Sequence, residues 1–383
     1  MERHRKQLVG LIILAPALFV ALGTFLLSPS LQAQTQVQPK GIDPALLAKA
    51  NAGEAASQVA VGLAYAKGEL VRQDYSKAAY WYRKAALQGD VDAEFYLGAA
   101  NDLGQGIPLD YVQAAVWYRK AAEQGDMYAQ SSLAILYETG QGVPEDFAQA
   151  AEWSRKSAEQ GYAMAQFWLG NLYDDGKGVP QDHVQAAAWF RKAADQGYAS
   201  AQLNLAIDYF TGEGVPQDYA QAAMWFRRAA EQGNARAQYS LGSCYDEGRG
   251  LPQDHAQAAT WFRKAAEQGN ASAQFNLAVD YSIGEGLPQD YGQAAAWFRK
   301  AADQGDIKAQ YSLGAAYFNG QGVPQSYAES YFWEDLAAAR AKGTDEEKYA
   351  KGRNQAGEKL TPADLSKVQE RAAKWFAEHT PQP

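Results

Sequence analysis

Apolar positions between residues 57 and 344 recur on two length scales. The short one is helical. Ala201, Leu205 and Tyr209 stand at i, i+4 and i+8, one face of a helix. A second helical stretch follows, where Ala222-Ala223 and Ala229-Ala230 flank Trp225. The long scale is 36 residues: Trp81, Trp117, Trp153, Trp189, Trp225, Trp261, Trp297 and Trp333 are evenly spaced. A period of this size marks a supersecondary unit that cannot bury its apolar face alone, so copies must stack. The pattern predicts eight helix-turn-helix copies, helix A then helix B, over residues 57–344. The fold class is all-α.

Turn chemistry punctuates each copy. Gly212 follows helix A where a C′ residue takes positive φ, and every copy has Gly there, from Gly68 to Gly320. Pro216 cannot extend the helix. Asp218 then stands as N-cap of helix B, matched by Asp74, Asp110, Asp146, Asp182, Asp254, Asp290 and Ser326, all acceptors for free first-turn N–H groups. Gly233 ends helix B, and Asn234 (Asp90, Asp126, Asn270 and Asp306 elsewhere) caps the next helix A. The paired alanines let helices approach closely while the tryptophan fills the space between copies.

The ends depart from this pattern, as the caps of a stack should. Residues 43–56 read as a capping half-repeat opened by Asp43-Pro44. The first copy has Leu70 for the second loop glycine and Arg72 for the proline. The eighth has Ser330-Tyr331 for the alanine pair. Residues 345–360, charged and glycine-containing, are expected to be a loop. Residues 361–379 are expected to be a final helix with Thr361 as N-cap, Pro362 at N1 and a stripe of Leu365, Val368, Ala372 and Trp375. At the other end, the basic residues 1–7 precede twenty uncharged residues, Leu8–Leu27, then Ser28-Pro29-Ser30 and a small-residue site at Leu31-Gln32-Ala33. Two readings fit residues 1–33: a cleaved secretory signal, or an uncleaved membrane anchor through residues 8–27. Both place the remainder outside the cytoplasm, with residues 34–42 as a linker.

The eightfold pattern Ala-x-x-x-Leu-Gly-x-x-Tyr-x-x-Gly-x-Gly-Val-Pro-x-Asp-x-x-x-Ala-x-x-Trp-x-x-x-Ala-Ala-x-x-Gly resembles the Sel1-like repeat, a relative of the tetratricopeptide repeat. The resemblance implies a right-handed α-solenoid serving as an adaptor. Bacterial members are often exported and bind signalling proteins, envelope enzymes or host factors. One secreted branch is cysteine-rich, with a disulfide in each repeat. This chain has only Cys244, so that branch's properties, penicillin binding included, are not carried over.

Composition narrows the chemistry. A net charge of −9 argues against a general nucleic-acid binder. One cysteine excludes an intramolecular disulfide and a multi-cysteine zinc site. Ser-x-x-Lys, Gly-x-Ser-x-Gly, His-Glu-x-x-His and Cys-x-x-Cys motifs are absent. No catalytic residue, metal site or cofactor is therefore expected. Gly170–Gly178 has the wrong spacing for a phosphate loop, and Asp174-Asp175 reads as a solvated helix end. His183 and His255 replace Tyr or Phe after the N-cap and read as packing residues; Cys244 reads as a small residue on helix A. The recurrent basic pairs, such as Arg119-Lys120 and Arg263-Lys264, have Glu or Asp four residues after the arginine and read as a charge-paired solvated face of helix B.

Comparing copies separates fixed from variable positions. Helix A carries a second stripe that changes: Tyr96/Ala100/Leu103, Ser132/Leu136/Thr139, Trp168/Leu172/Asp175, Asn204/Asp208/Thr211, Ser240/Cys244/Glu247, Asn276/Asp280/Ile283 and Ser312/Ala316/Asn319. In stacked hairpins the A helices line the concave surface, so this stripe is expected to face a binding groove. The candidate partner-binding residues are Tyr96, Trp168, Asn204, Asp208, Ser240, Glu247, Asn276, Asp280 and Asn319. The groove would be aromatic and apolar at the N-terminal end and polar to acidic beyond it. The expected function is a non-catalytic adaptor of the cell envelope, periplasmic or anchored facing the periplasm, that binds a protein or extended peptide. Two alternatives stay open: an enzyme or modulator acting on peptidoglycan or β-lactams, and a secreted effector that binds host protein.

Overall fold

The computed structural model describes residues 41–379. The signal or anchor expected over residues 1–33 lies outside them. Among the described residues no helix is long and apolar enough to cross a membrane.

The chain divides into two compact units, one ending at Gln196 and one beginning at Gly197. The first holds a short cap, α1 (Pro44–Asn51), and four hairpins. Their A helices are α2 (Ala55–Lys67), α4 (Val91–Leu103), α6 (Met127–Thr139) and α8 (Ala163–Asp175). Their B helices are α3 (Tyr75–Ala86), α5 (Tyr111–Glu123), α7 (Phe147–Glu159) and α9 (His183–Asp195). The second unit repeats this plan, with A helices α10 (Ala199–Thr211), α12 (Ala235–Glu247), α14 (Ala271–Ile283) and α16 (Ile307–Asn319). Its B helices are α11 (Tyr219–Glu231), α13 (His255–Glu267), α15 (Tyr291–Asp303) and α17 (Tyr327–Ala338), followed by α18 (Thr344–Gly357) and α19 (Pro362–His379). In each unit consecutive helices pack on one another, the arrangement of an all-α solenoid.

Local rules set the helix limits as the sequence predicts. The caps at Asp74, Asp110, Asp146, Asp182, Asp218, Asp254, Asp290 and Ser326 each accept a first-turn backbone N–H. Asn234 and Asn270 do the same for α12 and α14. The alanine pairs are buried in every B helix that has them, and the leucine at the middle of each A helix reaches 0% exposure from Leu97 to Leu313. Loop glycines have two jobs. Gly320 ends α16 at φ +68°. Gly322, at φ +71°, lies so close to the start of α15 that a Cβ there would collide with the Tyr291 carbonyl.

A buried glutamine near the start of every A helix but one ties successive hairpins together. Gln130 Nε2 donates to the Ala122 carbonyl at the end of the preceding B helix (3.1 Å), and its Oε1 accepts from Gln160 of its own B helix (2.8 Å). Gln58, Gln166, Gln238 and Gln274 repeat both bonds. The cap α1 supplies the first carbonyl, that of Ala50. Gln310 donates to Ala302, but its oxygen has no donor, because Arg340 stands in the register of the next glutamine and bonds the Gly305 carbonyl. Glu94 takes the glutamine's place in the second repeat. It is 4% exposed and accepts from Gln124 (2.7 Å). Burial raises its pKa.

The segment 345–360 differs from expectation: residues 344–357 are helical rather than a loop. Asp345, Glu346 and Glu347 fill the first turn, where negative charge favours the helix N-terminus. Tyr349 is buried and stacks on Tyr311 at 4.4 Å between ring centroids. The terminal helix behaves as predicted, with Val368 and Ala372 buried against Tyr331, Phe332 and Trp333 and with Leu365 and Trp375 beside them.

Two predictions follow from these contacts. Glu94→Gln restores the missing donor and should add about 1 kcal/mol at neutral pH. Because the folded pKa of Glu94 is raised above its ordinary 4.5, its ionisation costs stability as pH rises through and above that value. The gain of the variant, measured by urea unfolding, should therefore shrink as pH falls through the raised folded pKa toward 4.5; a gain independent of pH would contradict this. Gly322→Ala should lose roughly 3 kcal/mol from strain and collision. Gly269→Ala, at φ +88° with open space around it, should lose only about 1 kcal/mol.

Candidate functional site

The variable stripe of helix A does not form one uniform surface. Its middle position is buried wherever it occurs: Ala100, Leu136, Leu172, Asp208, Cys244, Asp280 and Ala316 are all at or below 9% exposure. The expectation that Asp208 and Asp280 line an open groove is thus corrected, since they are 2% and 7% exposed. The reason is helical geometry. Asp208 lies three residues after Leu205 and beside Tyr209, so it shares their inward face. Cys244 is buried too, and burial pushes its thiol up to about 11, out of the reactive range.

The first position of the stripe is half-buried in each copy, at Tyr96, Trp168, Asn204, Ser240 and Asn276. The last is more open at Glu247, which pairs with Arg249 (2.7 Å), and at Asn319, whose amide bonds the Ala315 carbonyl. Trp168 packs edge-on against Phe167. These residues mark successive repeats.

At one place the stripe does enclose space. In the first unit a cavity of about 170 Å³ lies between α2, α3 and α4. Tyr96, Ala100 and Leu103, the entire stripe of that repeat, line one wall. Leu63, Ala78 and Tyr82 line the others, with Lys67, Glu69 and Gln105 among the polar members of its lining. Tyr96 stacks on Tyr82 at 5.1 Å between centroids, which holds it in place. The degraded first copy, with Leu70 and Arg72 in its loop, sits beside this opening.

The basic pairs have partners that the sequence reading did not foresee. The arginine turns to the next repeat: Arg155, Arg227 and Arg263 bond the hydroxyls of Tyr173, Tyr245 and Tyr281 at 2.6–2.8 Å, and Arg119 and Arg299 bond Tyr137 and Tyr317. The lysine lies over its own repeat's tryptophan, as Lys192 over Trp189 and Lys300 over Trp297, both at 3.7 Å. The pairs are staples within and between repeats, not simply a solvated charged face.

The histidines are also more than packing. His183 Nδ1 lies 2.9 Å from Asp174 Oδ1, and Asp174 is 7% exposed rather than a solvated helix end. His255 Nδ1 lies 2.9 Å from Asp246 Oδ1, and its Nε2 lies 3.1 Å from Glu285 Oε1. The bond to Asp246 raises the His255 pKa. A comparison of the copies at the histidine position would have exposed this grouping, because acidic residues appear one repeat later only where the histidine does.

Eight consecutive segments match the model of the Sel1 repeat: residues 55–90, 91–126, 128–162, 163–198, 199–234, 235–270, 271–306 and 307–341. Among solved structures the chain is similar to a Sel1 repeat protein from Oxalobacter formigenes, at 33% identity over 80% of this chain and 89% of that one, with a TM-score of 0.61. It is also similar to c5321, a protective antigen of uropathogenic Escherichia coli strains with an SLR fold, at 32% identity over 88% of this chain and 87% of that one, with a TM-score of 0.47. No curated protein matches it. With repeats matched across most of its length, the chain belongs to the Sel1 repeat family.

Proposed function

We propose that this chain is a non-catalytic scaffold of the cell envelope that holds an extended peptide segment of a partner protein on its A helices. Sel1 repeat proteins generally act as protein-interaction scaffolds. The observation that carries the finer reading is the cavity lined by Tyr96, Ala100 and Leu103. Positions that stacking leaves free to vary are here apolar, and they enclose a space large enough for a benzene-sized group. An aromatic or aliphatic side chain of the partner would enter it, flanked by polar groups that bond the peptide backbone. Trp168 offers a second aromatic anchor of the type that dominates interface energies. In the second unit Asn204, Ser240, Glu247, Asn276 and Asn319 are the polar positions of the same stripe, available to bond peptide groups there. Asp208 and Asp280, being buried, are not part of that surface. An envelope location rests on the basic residues 1–7 and the uncharged Leu8–Leu27.

Loss of a buried aromatic anchor costs 2 kcal/mol or more, which is about thirtyfold in affinity. A partner captured by cross-linking from the envelope fraction should therefore be lost from Tyr96→Ala, once circular dichroism shows unchanged helicity. Equal capture by Tyr96→Ala and the natural chain would exclude the cavity as the anchor site. Protease added to spheroplasts should digest the repeats; an intact, protected chain would contradict the envelope location.

A further inference from the structure

The cavity of the first unit exists because two side chains are short. Ala66 and Ala100 both line it. One repeat further along the chain their positions hold Asp102 and Leu136. In later copies the position of Ala66 holds Asp, Glu, Phe or Ser, and no other junction pairs two alanines at these positions. Compared with the second repeat, the empty space is therefore that of a carboxylate and a branched aliphatic group.

The absent carboxylate leaves its donor behind. Tyr118 is 0% exposed, and its hydroxyl donates to Asp102 Oδ2 at 3.2 Å. Tyr82 is its counterpart one repeat earlier and is 5% exposed. Both rings lie against a glycine of their A helix, Gly62 or Gly98, where a Cβ would collide with them. Tyr82 lines the cavity, and with alanine at position 66 its hydroxyl has no hydrogen-bond partner among the described residues. Burial raises its pKa, so the hydroxyl keeps its proton and stays a donor. A buried donor left unpaired is costly, so Tyr82 favours an occupant that brings an acceptor. Lys67, the residue after Ala66, lines the cavity where the second repeat has Leu103 and adds a positive charge. Glu69, also in the lining, lies past Gly68 in the loop.

We propose that this cavity takes the C-terminal residue of the partner, an aliphatic residue such as leucine with its free α-carboxylate. The proposal rests on the reading of the cavity as the anchor site. One such residue carries both groups that the second repeat supplies from its own chain. Its carboxylate accepts from the Tyr82 hydroxyl, as Asp102 accepts from Tyr118, and faces the charge of Lys67. Its branched side chain fills the space that Leu136 fills one repeat later. A cavity of about 170 Å³ has room for it. Other side chains meet only half of the requirement. An internal aspartate or glutamate brings the acceptor but leaves the apolar walls of Leu63, Ala78 and Leu103 uncovered. An internal leucine covers those walls but leaves Tyr82 unpaired.

The test uses the full chain and two probes: the peptide acetyl-Gly-Ser-Gly-Leu with a free carboxylate, and the same peptide as its C-terminal amide. Binding is followed by saturation-transfer NMR. The free acid should bind about tenfold more tightly, as expected for a hydrogen bond to a charged group. Tyr82→Phe should bind acid and amide equally. Ala66→Asp and Ala100→Leu, which fill the cavity from within, should bind neither. The fold tolerates all three, because Phe190, Asp102 and Leu136 already stand at these positions in other copies. Equal binding of acid and amide by the natural chain would overturn the proposal while leaving the cavity as an anchor for an internal side chain. An undiminished preference for the acid in Tyr82→Phe would overturn it too. So would binding of neither probe by the natural chain, and the Tyr96→Ala capture would then decide separately whether the cavity anchors a partner.

Discussion

A helical hairpin of this size ends in backbone groups that it cannot satisfy by itself, and the buried glutamine of the next hairpin answers for them. Gln130 illustrates the constraint: it is itself buried, its amide nitrogen donates to the Ala122 carbonyl, and its oxygen accepts from Gln160 at the solvent edge. A polar group so placed is costly unless both ends are paired. The requirement fixes the distance between successive A and B helices, and small residues elsewhere follow from it. The paired alanines of helix B are buried because the backbones come close. The second loop glycine reaches the first turn of the preceding B helix, where a Cβ has no room. The ends show the same rule. Gln58 finds its carbonyl in the cap α1, whereas Gln310 keeps one unsatisfied oxygen where Arg340 replaces the next member.

What the constraint leaves free carries the individuality of the chain. Helix A contributes its central leucine to every core but lets the neighbouring stripe change. In the first unit the change is toward aromatic and aliphatic residues around a cavity. In the second it includes Asp280, one repeat after His255, which begins a B helix and lies between Asp246 and Glu285. Both lie on positions that the glutamine relay does not use, so neither disturbs stacking. The arginine and lysine of each B helix reinforce the frame through the next tyrosine and their own tryptophan.

Much of this was legible in the residues because it depends on neighbours in sequence. N-caps such as Asp218, C′ glycines such as Gly320 and the apolar register of the A helices are local, and each was placed correctly. The misses concern partners that are distant or faces that are shared. Arg155 meets Tyr173 on another helix, so its i+4 carboxylate was a misleading guide. Asp208 and Asp280 looked like surface residues by type, yet their spacing from the core leucine put them inside. The segment 344–357 was read by composition as a loop, but its acidic first turn and the stacking of Tyr349 on Tyr311 make it a helix. The cavity beside Tyr96 needs three helices to exist and has no signature in any one of them.

The claim that the A-helix stripe is the partner-binding face is tested most directly by site-specific photocross-linking. A benzophenone side chain would be placed in turn at Tyr96 and Trp168 on A helices, and at Val116 and Val184, which are exposed on B helices. The account predicts that one partner protein is captured from Tyr96 and Trp168 and not from Val116 or Val184. Capture from Val116 and Val184, with none from Tyr96 and Trp168, would place the interface on the B helices and contradict it.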